Sequence, residues 1–466
     1  MGPVRSVVLT AETVVRVTSG RLVAGDADRV LERVSIDSRT LRRGSLFVAL
    51  RGDRFDGHDF TAAALARGAA GLLVQAAPAD PGTTAVIVVP DTLQALQALA
   101  GHVRRASDAI VVAITGSAGK TTTKEIAADL LALRYRVFRS RGNFNNHIGL
   151  PLSLLELLAG PEIAVVELGM NHAGEIRTLI GLAAPQIRVW TNVGDAHLGQ
   201  FGTVEAIARA KAEVLEAAEA STLIVANADD PLVMAHVKTF SGRRLTYGES
   251  RGADVRAEAV IDRGFDGTVA EVATPAGRLE LSVPLPGRAH LSNTLAAVAV
   301  AVELGVPIPG IEATVAALLP VTRRGASMRL ASGTRVVDDS YNASPMAVAA
   351  ALAALGATPT GGHRLAVLGE MLELGDASRA LHERCGAAAV AAGVNTLVVI
   401  GGPDADGLAE GALAAGMPAV QIHRFGDSRA AAPFVLELVE PGDLVLVKGS
   451  RGTRTDIVAD ALMEVA

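Results

Sequence analysis

The stretch AIVVAITGSAGKTTTKE, residues 109–125, has the features of a phosphate-binding loop. AIVVAIT is continuously apolar, as in a buried strand, and TTTKEIAADLLALR carries apolar residues at helical spacing. A glycine-rich turn between a strand and a helix start directs backbone N–H groups at phosphate oxygens. The residues predicted to contact the nucleotide are Thr115, Gly116, Ser117, Ala118, Gly119, Lys120, Thr121 and Thr122.

Two side chains of this loop have predicted chemical roles. Lys120 would reach the β- and γ-phosphates, and the Thr121 hydroxyl would help to hold Mg²⁺. The usual loop has a glycine five residues before Gly119, but this chain has Ile114 there, which indicates a shortened loop. The alternative is a glycine turn that contains a lysine without binding a nucleotide.

Bulk composition excludes several classes of protein. The chain has 466 residues, a net charge of −6 and a single cysteine, Cys385. A negative net charge does not indicate a nucleic-acid-binding surface. A single cysteine excludes an internal disulfide. The first twenty residues lack the apolar core of a signal peptide, and no segment has the apolar length of a membrane span. We therefore expect a cytoplasmic protein.

Apolar runs alternate with helical segments along the chain, which predicts an α/β protein with largely parallel sheets. We expect three domains: an α/β domain over residues 1–107, a P-loop mononucleotide-binding domain over 108–321, and a Rossmann-like domain over 322–466. Polar residues follow the apolar runs at their carboxyl ends, where open α/β sheets bind ligands.

Three further residues are candidates for the chemistry of the central domain. Glu167 ends the run EIAVVE, as a metal-binding acid would, although a strand-end glutamate can also lie in solvent. His197 in TNVGDAHLGQFG could be a loop histidine, and Lys211 in IARAKAEVL an exposed helix lysine. Their significance depends on the segments around them.

Together these segments closely resemble the Mur ligases, which build the peptide of bacterial peptidoglycan. The resemblance rests on Glu167, on Asn192 and His197 in the N-x-x-x-A-H-L segment, and on Lys211 in the A-K-x-E segment. It implies two Mg²⁺ ions held by Thr121, Glu167, His197 and a carbamylated Lys211. The predicted catalytic residues are Lys120, Glu167, His197 and Lys211.

The amino-terminal segment VSIDSRTLRRGSLFVALRGDRFDGHDF resembles the UDP-sugar-binding domain of the family, although DGHDF alone could be a polar turn. The resemblance implies substrate contacts by nine residues of the first two predicted domains: Ser35, Asp37, Ser38, Arg39, Asp56, Gly57, His58, Asn143 and Asn146.

The carboxyl-terminal segments VVDDSYNASPMAV, LGEMLELGDASRALH and VLVKGSRGTRTD resemble the family members that add D-alanyl-D-alanine. The resemblance implies ATP contacts by Asp339 and Tyr341, and substrate contacts by Asn342, Lys448, Ser450 and Arg451. In GRAHLSNTLAA the expected adenine contact Asn293 is present, but Ala289 and His290 replace the family's histidine and first asparagine.

The function implied is an ATP-dependent ligase that joins D-alanyl-D-alanine to UDP-N-acetylmuramoyl-tripeptide through an acyl phosphate. We expect these two substrates as its partners, no nucleic acid, and a monomer. The alternatives are the family member that adds the third amino acid, and a P-loop ATPase switch that forms no bond.

Overall fold

The structure, a computed structural model, describes residues 7–52 and 55–464. Its contacts group the chain into two compact units. The first contains the chain up to Thr115, Leu131–Val189 and Glu216–Leu223, and the second contains Gly116–Leu130, Trp190–Leu215 and the chain from Ile224 onward. The domain boundaries near residues 107 and 321 stay predictions.

The first sheet has five strands in the order β1-β5-β4-β3-β2. Its strands are β1 (Arg21–Ala24), β2 (Arg33–Ser35), β3 (Ser45–Val48), β4 (Gly71–Val74) and β5 (Ala85–Val88). The accompanying helices are α1 (Ala11–Thr18), α2 (Thr61–Ala66) and α3 (Thr92–Ala106). The Asp91 carboxylate fixes the start of α3 by accepting hydrogen bonds from the N–H groups of Leu93 and Gln94.

The second sheet has nine strands in the order β14-β13-β12-β11-β10-β9-β6-β8-β7. Its strands are β6 (Ile110–Thr115), β7 (Val137–Arg139), β8 (Ile163–Glu167), β9 (Ile187–Trp190), β10 (Leu223–Asn227), β11 (Arg243–Gly248), β12 (Val255–Asp262), β13 (Thr268–Thr274) and β14 (Gly277–Val283). The helices of this region are α4 (Lys120–Ala132), α5 (Gly149–Leu155), α6 (Glu175–Ala183), α7 (Leu198–Phe201), α8 (Val204–Lys211), α9 (Pro231–Val237), α10 (Gly287–Glu303) and α11 (Ile308–Ala316).

The third sheet has six strands in the order β15-β16-β20-β17-β18-β19. Its strands are β15 (Ala326–Arg329), β16 (Arg335–Asp339), β17 (Arg364–Gly369), β18 (Thr396–Ile400), β19 (Ile422–Phe425) and β20 (Leu444–Lys448). Its helices are α12 (Pro345–Ala357), α13 (Ser378–Ala391), α14 (Asp406–Ala414), α15 (Ser428–Leu438) and α16 (Asp456–Glu464).

Parallel pairing places functional strand ends side by side. In the third sheet β16, β20 and β17 are parallel neighbours, and Lys448 lies opposite both Asp339 and Leu368. In the second sheet β6 and β8 are parallel, with Glu167 opposite Ile114. The antiparallel set β12–β14 is an addition that the sequence patterns did not predict.

Candidate functional site

The predicted phosphate loop lies at the junction of β6 and α4. β6 ends at Thr115, and α4 begins at Lys120. Gly116 and Gly119 have φ angles of +149° and +82°, values that favour glycine because it has no Cβ. The Lys120 ammonium donates a hydrogen bond to the Gly116 carbonyl, 2.7 Å away, so the lysine folds back over the loop.

The segment that follows β9 holds the loop in place. The N–H of Ala118 donates to Oδ1 of Asn192 at 2.8 Å, and the N–H of Ser117 donates to the carbonyl of the same residue at 3.0 Å. The Thr191 hydroxyl donates to the carbonyl of Ala118 at 2.7 Å. Asn192, which opens the N-x-x-x-A-H-L segment, therefore acts as a support for the loop.

Asn293 packs against the same loop from helix α10. A Cβ added to Gly119 would lie 2.1 Å from Asn293 Oδ1, and the Thr123 hydroxyl lies 3.4 Å from that oxygen. The side chain is thus close to the phosphate end of the candidate site. Contact between Asn293 and adenine stays a prediction.

His290 lies one helical turn before Asn293 on α10. Its Nδ1 is 2.7 Å from the carbonyl oxygen of Pro286, and burial lowers the pKa of its imidazole. The ring lines a small cavity together with Thr122 and Ile126 of α4. The chain therefore places an imidazole at this position, where the family pattern has an amide.

Glu167 is buried at the end of β8 in the first compact unit, 2% exposed, which excludes a solvent-exposed strand end. The N–H of Leu168 donates to the Ile114 carbonyl at 2.9 Å. The hydroxyl of Thr115, the last residue of β6, donates to the Leu168 carbonyl at 3.1 Å. The pairing of β6 with β8 therefore places Glu167 next to Ile114, near the end of β6. The phosphate loop follows β6 directly in the sequence.

The predicted substrate residues Asn143 and Asn146 lie in a loop of the same unit. Asn146 Oδ1 accepts hydrogen bonds from the N–H groups of Ile148 and Gly149, and so stabilises the start of α5. The N–H of Gly169 donates to the Asn145 carbonyl at 2.7 Å, which brings this loop to the end of β8.

Lys211 ends helix α8 and is 2% exposed, so it is not an exposed helix lysine. Burial lowers its pKa well below the ordinary value, and the positive charge of Lys120 lowers that pKa further. Burial disfavours the charged form of an amine, so the neutral form of Lys211 is favoured more than that of an exposed lysine.

His197 adopts a left-handed backbone conformation, with φ +65°, directly before α7. Its Nδ1 lies 2.6 Å from Oε2 of Glu373. Burial is the main cause that lowers the pKa of the His197 imidazole; the charges of Lys211 and Lys120 also lower it, while Glu373 raises it. Lys120, His197 and Lys211 therefore interact electrostatically within the second unit.

The carboxyl ends of β16 and β20 form a compact polar group. The Lys448 ammonium is 3% exposed and donates to Asp339 Oδ2 at 2.6 Å and to the Asn342 carbonyl at 3.0 Å. The Ser450 hydroxyl accepts a hydrogen bond from the N–H of Leu372 at 3.0 Å. The sequence placed these residues at strand ends, and the structure brings them together.

Two residues near this group were not predicted from the sequence. The Arg324 guanidinium lies 4.1 Å from the centroid of the Tyr341 ring, a cation–π contact. Glu373 lies within LGEMLELGD, and nothing in that motif indicates its contact with His197. Arg451, a predicted substrate residue, is exposed.

The predicted UDP-sugar residues lie in turns that are largely held by their own side chains. Asp56 accepts hydrogen bonds from the backbone of His58 and from its Nδ1, and His58 Nε2 accepts one from the N–H of Gln75. Both ring nitrogens of His58 therefore have partners within the protein. This agrees with the alternative prediction that DGHDF is a polar turn. Residues 53 and 54 of the same segment lie outside the described residues.

The second group of these residues is arranged in a similar way. The Arg39 guanidinium forms two hydrogen bonds with Asp37, at 3.0 and 2.8 Å, and the Ser35 hydroxyl donates to the Asp37 carbonyl. Ser38 is buried, and the N–H of Gly57 donates to the Leu50 carbonyl. The structure thus shows an ordered polar edge, and its contact with a nucleotide-sugar stays a prediction.

Family models match three parts of the chain: residues 31–104 match the Mur ligase family catalytic domain, 114–301 the Mur ligase middle domain, and 323–451 the Mur ligase glutamate ligase domain. The chain is 33% identical over 459 residues to the UDP-N-acetylmuramoyl-tripeptide–D-alanyl-D-alanine ligase of Bacillus subtilis, with 98% of each chain covered. It is 36% identical over 446 residues to the protein of the same name in Escherichia coli, with 94% of this chain and 95% of that protein covered.

Solved structures of Mur ligases also match this chain over most of its length. A MurF structure from Acinetobacter baumannii matches with a TM-score of 0.88 and 31% identity, covering 99% of this chain and 100% of that one. MurF from Thermotoga maritima in complex with ADP matches with a TM-score of 0.79 and 31% identity, covering 93% of this chain and 98% of that one. These matches confirm the predicted three-domain α/β class.

Proposed function

We propose that this chain, which belongs to the Mur ligase family, joins D-alanyl-D-alanine to UDP-N-acetylmuramoyl-tripeptide. The reaction would consume ATP. Its relatives of this name share 33% and 36% identity over almost the whole chain. The match extends over the predicted first and third domains as well as the phosphate loop. It therefore favours UDP-N-acetylmuramoyl-tripeptide and D-alanyl-D-alanine over the substrates of other family members.

One observation in the structure carries the assignment to amide-bond chemistry. Lys211 is buried, and its pKa is lowered by that burial and by the charge of Lys120 in the phosphate loop. A nucleotide-binding loop alone requires only one of these lysines. Burial of a second lysine is unfavourable unless the group has a further role, and we propose that this role is metal binding.

The chain's own residues position the reacting groups. The tripeptide carboxylate attacks the γ-phosphorus of ATP, the bond to the β-phosphate oxygen breaks, and ADP leaves. The amine of D-alanyl-D-alanine then attacks the acyl phosphate, loses a proton and releases phosphate. We assign Lys120 and the loop N–H groups to the transferring phosphate, where fixed positive charge stabilises the transition state.

The available donors fit Mg²⁺. In the described part of the chain no three His, Cys, Asp or Glu side chains form a metal-binding group. A carbamate on Lys211 would add an anionic oxygen donor to the Glu167 carboxylate and the Thr121 hydroxyl. We propose that Thr121, Glu167, His197 and carbamylated Lys211 hold two Mg²⁺ ions, with phosphate oxygens completing the ligands. Bound Mg²⁺ would neutralise charge on the transferring phosphate.

Carbamylation of Lys211 needs the neutral amine, because its lone pair attacks CO₂ and the nitrogen then loses a proton. The lowered pKa of Lys211 supports this step. The product is an anionic oxygen donor, whereas an ammonium would repel the metal. The modification therefore converts a buried amine into a ligand of the type that Mg²⁺ prefers.

The remaining predicted residues of the second and third domains would contact ATP, the tripeptide or the dipeptide. We propose that Asn293, Asp339 and Tyr341 contact ATP. Tripeptide and dipeptide would be bound by residues from the second and third blocks, namely Asn143, Asn146, Asn342, Lys448, Ser450 and Arg451. Arg451 supports this assignment most directly, because its exposed guanidinium can pair with a carboxylate.

The amino-terminal turns would hold the UDP-sugar. We propose that Ser35, Asp37, Ser38, Arg39, Asp56 and Gly57 contact it, and that His58 acts by shaping the turn, since both its ring nitrogens are used internally. We further propose a cytoplasmic enzyme that works as a monomer, its substrates being nucleotide-linked and peptide precursors.

Phosphate release from ATP tests the function. The assay contains UDP-N-acetylmuramoyl-tripeptide alone, D-alanyl-D-alanine alone, and then both. Release that requires both substrates, with a product heavier by the dipeptide less one water, is the expected result. Substrate-independent release would support an ATPase switch. Use of an amino acid with the UDP-linked dipeptide would instead support the enzyme that adds the third residue.

A further inference from the structure

The edge of the third sheet at which its parallel strands end carries an acid that the proposed function does not use. Glu370 follows β17 directly, at the edge where Asp339 ends β16 and Lys448 ends β20. The Glu370 side chain is half-buried, and its Oε2 accepts a hydrogen bond from the N–H of Gly402 at 2.7 Å. Within the part of the chain that the structure describes, this is the one hydrogen bond of the carboxylate, so Oε1 is available to a ligand.

The backbone around Glu370 holds this carboxylate in place. The N–H of Glu370 donates to the carbonyl of Ile400 at 2.8 Å, and its carbonyl accepts from the N–H of Ser450 at 3.3 Å. A Cβ on Gly401 would lie 2.7 Å from both Cβ and Oε2 of Glu370, so a side chain at residue 401 would collide with it. The segments that follow the two strands flanking β17 therefore fix the position of the carboxylate.

Two exposed side chains lie in the segments that meet beside this acid. The N–H of Leu372 donates to the Ser450 hydroxyl at 3.0 Å, which brings residues 370–372 next to the residue that precedes Arg451. The Leu372 side chain is 44% exposed, and Arg451 is also exposed. Residues 370–372 and 450–451 therefore present a carboxylate, an apolar side chain and a guanidinium.

These three groups correspond to the chemical groups of the acceptor in the proposed reaction. D-alanyl-D-alanine has an ammonium at one end, a carboxylate at the other and two methyl groups. Two extended residues span roughly 7 Å, and neighbouring strands lie about 4.8 Å apart. Because β17 and β20 are adjacent strands, the ends of one dipeptide can reach the charged groups that follow them. Arg451 is already assigned to a carboxylate, whereas the ammonium has no assigned partner.

Other acids at this edge are engaged or unsupported. Asp339 pairs with Lys448 at 2.6 Å, and Asp427 accepts hydrogen bonds from the N–H groups at the start of α15. Asp404, in the loop after β18, is exposed, and no hydrogen bond from the described residues holds its carboxylate. Of these four acids, Glu370 is the one that combines a fixed position with an available oxygen.

We propose that Glu370 binds the ammonium group of D-alanyl-D-alanine and thereby selects an acceptor with a free amino terminus. Arg451 would pair with the carboxylate of the same dipeptide, and Leu372 would contact a methyl group. The dipeptide would bind in one direction, because exchanging its ends would place like charges together. This role rests on the proposed function for its substrate, but the two can fail separately.

The first test compares two dipeptides on the wild-type enzyme. N-acetyl-D-alanyl-D-alanine lacks the ammonium group, and its binding is measured as inhibition of phosphate release at limiting D-alanyl-D-alanine with the other two substrates saturating. A hydrogen bond to a charged group changes affinity by about 10- to 100-fold. The inhibition constant of the acetylated dipeptide should exceed the KM of the free dipeptide by this factor. Equal constants would overturn the role of Glu370.

The second test uses Glu370→Gln, which removes the charge but keeps an oxygen that can accept from the Gly402 N–H. The KM for D-alanyl-D-alanine should rise by about 10- to 100-fold, with the KM for ATP unchanged. The constants of the free and acetylated dipeptides should also converge. Asp404→Asn is the matched control, because it removes the same charge from the loop after the neighbouring strand. Its dipeptide KM should change by less than about twofold, since an exposed charge contributes little.

Urea unfolding of both variants verifies that they are folded. An unchanged dipeptide KM in Glu370→Gln, or an equal rise in Asp404→Asn, would contradict the proposed contact. A preference for the free over the acetylated dipeptide that persists in Glu370→Gln would show that the acetyl group is excluded by its size, and would also overturn the role. If the wild type releases no phosphate with both substrates present, the proposed function itself fails.

Discussion

Burial lowers the pKa of Lys211 well below its ordinary value, and the positive charge of Lys120 in the phosphate loop lowers it further. Only the neutral amine reacts with CO₂, and the lowered pKa favours that form of Lys211. We expect enzyme equilibrated with ¹³C-bicarbonate to show a carbamate carbon signal that is absent in Lys211→Ala. The variant should lose ligase activity by about 10²-fold or more, as when a fixed charge partner is removed. No carbamate signal together with an active Lys211→Ala variant would contradict the assignment.

Lys120→Ala should leave the fold intact and almost abolish turnover. The ammonium donates to the Gly116 carbonyl in this structure and would move to the phosphates during the reaction. Loss of one fixed positive group typically lowers kcat by about 10²–10³-fold. Lys238→Ala is the matched control, because Lys238 is exposed after helix α9. Equal rates for the two variants would exclude the proposed role of Lys120.

Gly119→Ala should weaken binding of ADP by about tenfold or more. Gly119 has φ +82°, and an added Cβ would lie 2.1 Å from Asn293 Oδ1. A left-handed conformation costs a non-glycine residue roughly 1–2 kcal/mol, and the clash would add to this by moving the loop. The binding constant from calorimetry is compared with that of Gly426→Ala, where an added Cβ meets no atom within 4 Å. Unchanged ADP affinity in Gly119→Ala would show that the loop tolerates the shift.

The crossing of α13 and α14 should be sensitive to a single methyl group. A Cβ on Gly386 would lie 2.0 Å from the Leu408 carbonyl oxygen, a backbone atom that cannot move independently of its helix. Overpacking of this kind costs roughly 1–3 kcal/mol, so Gly386→Ala should lower the free energy of unfolding by that amount. Urea unfolding of Gly361→Ala gives the control, since an added Cβ there meets no atom within 4 Å. Equal urea midpoints would refute the prediction.

The turn at Asp56 should contribute to stability in a pH-dependent way. Hydrogen bonds from the backbone and ring of His58 lower the pKa of Asp56 to about 2. Because the folded-state pKa is depressed, the contribution is fully present above the unfolded pKa of about 3.9 and is lost as pH falls toward about 2. The difference in urea midpoint between wild type and Asp56→Asn should therefore shrink from pH 6 to pH 3. A constant difference over this range would mean that Asp56 is not ionised in the turn.

Local sequence was sufficient to predict several parts of the fold. The apolar runs before the phosphate loop and before Glu167 became β6 and β8, and KTTTKE became the start of α4. These predictions succeeded because strand burial, helical spacing and glycine turns are set by neighbours in the chain. The antiparallel strands β12–β14 were missed, because their alternating apolar and polar residues differ from the continuous apolar runs by which the buried parallel strands were predicted.

The sequence by itself determined the family, the nucleotide loop and the identity of the polar residues at the strand ends. Only the tertiary structure decided that Lys211 is buried, that Asn293 lies against Gly119, and that Glu373 reaches His197. Each of these properties depends on residues far apart in the chain. The physical reason is that burial and charge, which set protonation and metal-binding capacity, are produced by surrounding atoms and are not encoded in a residue's own local pattern.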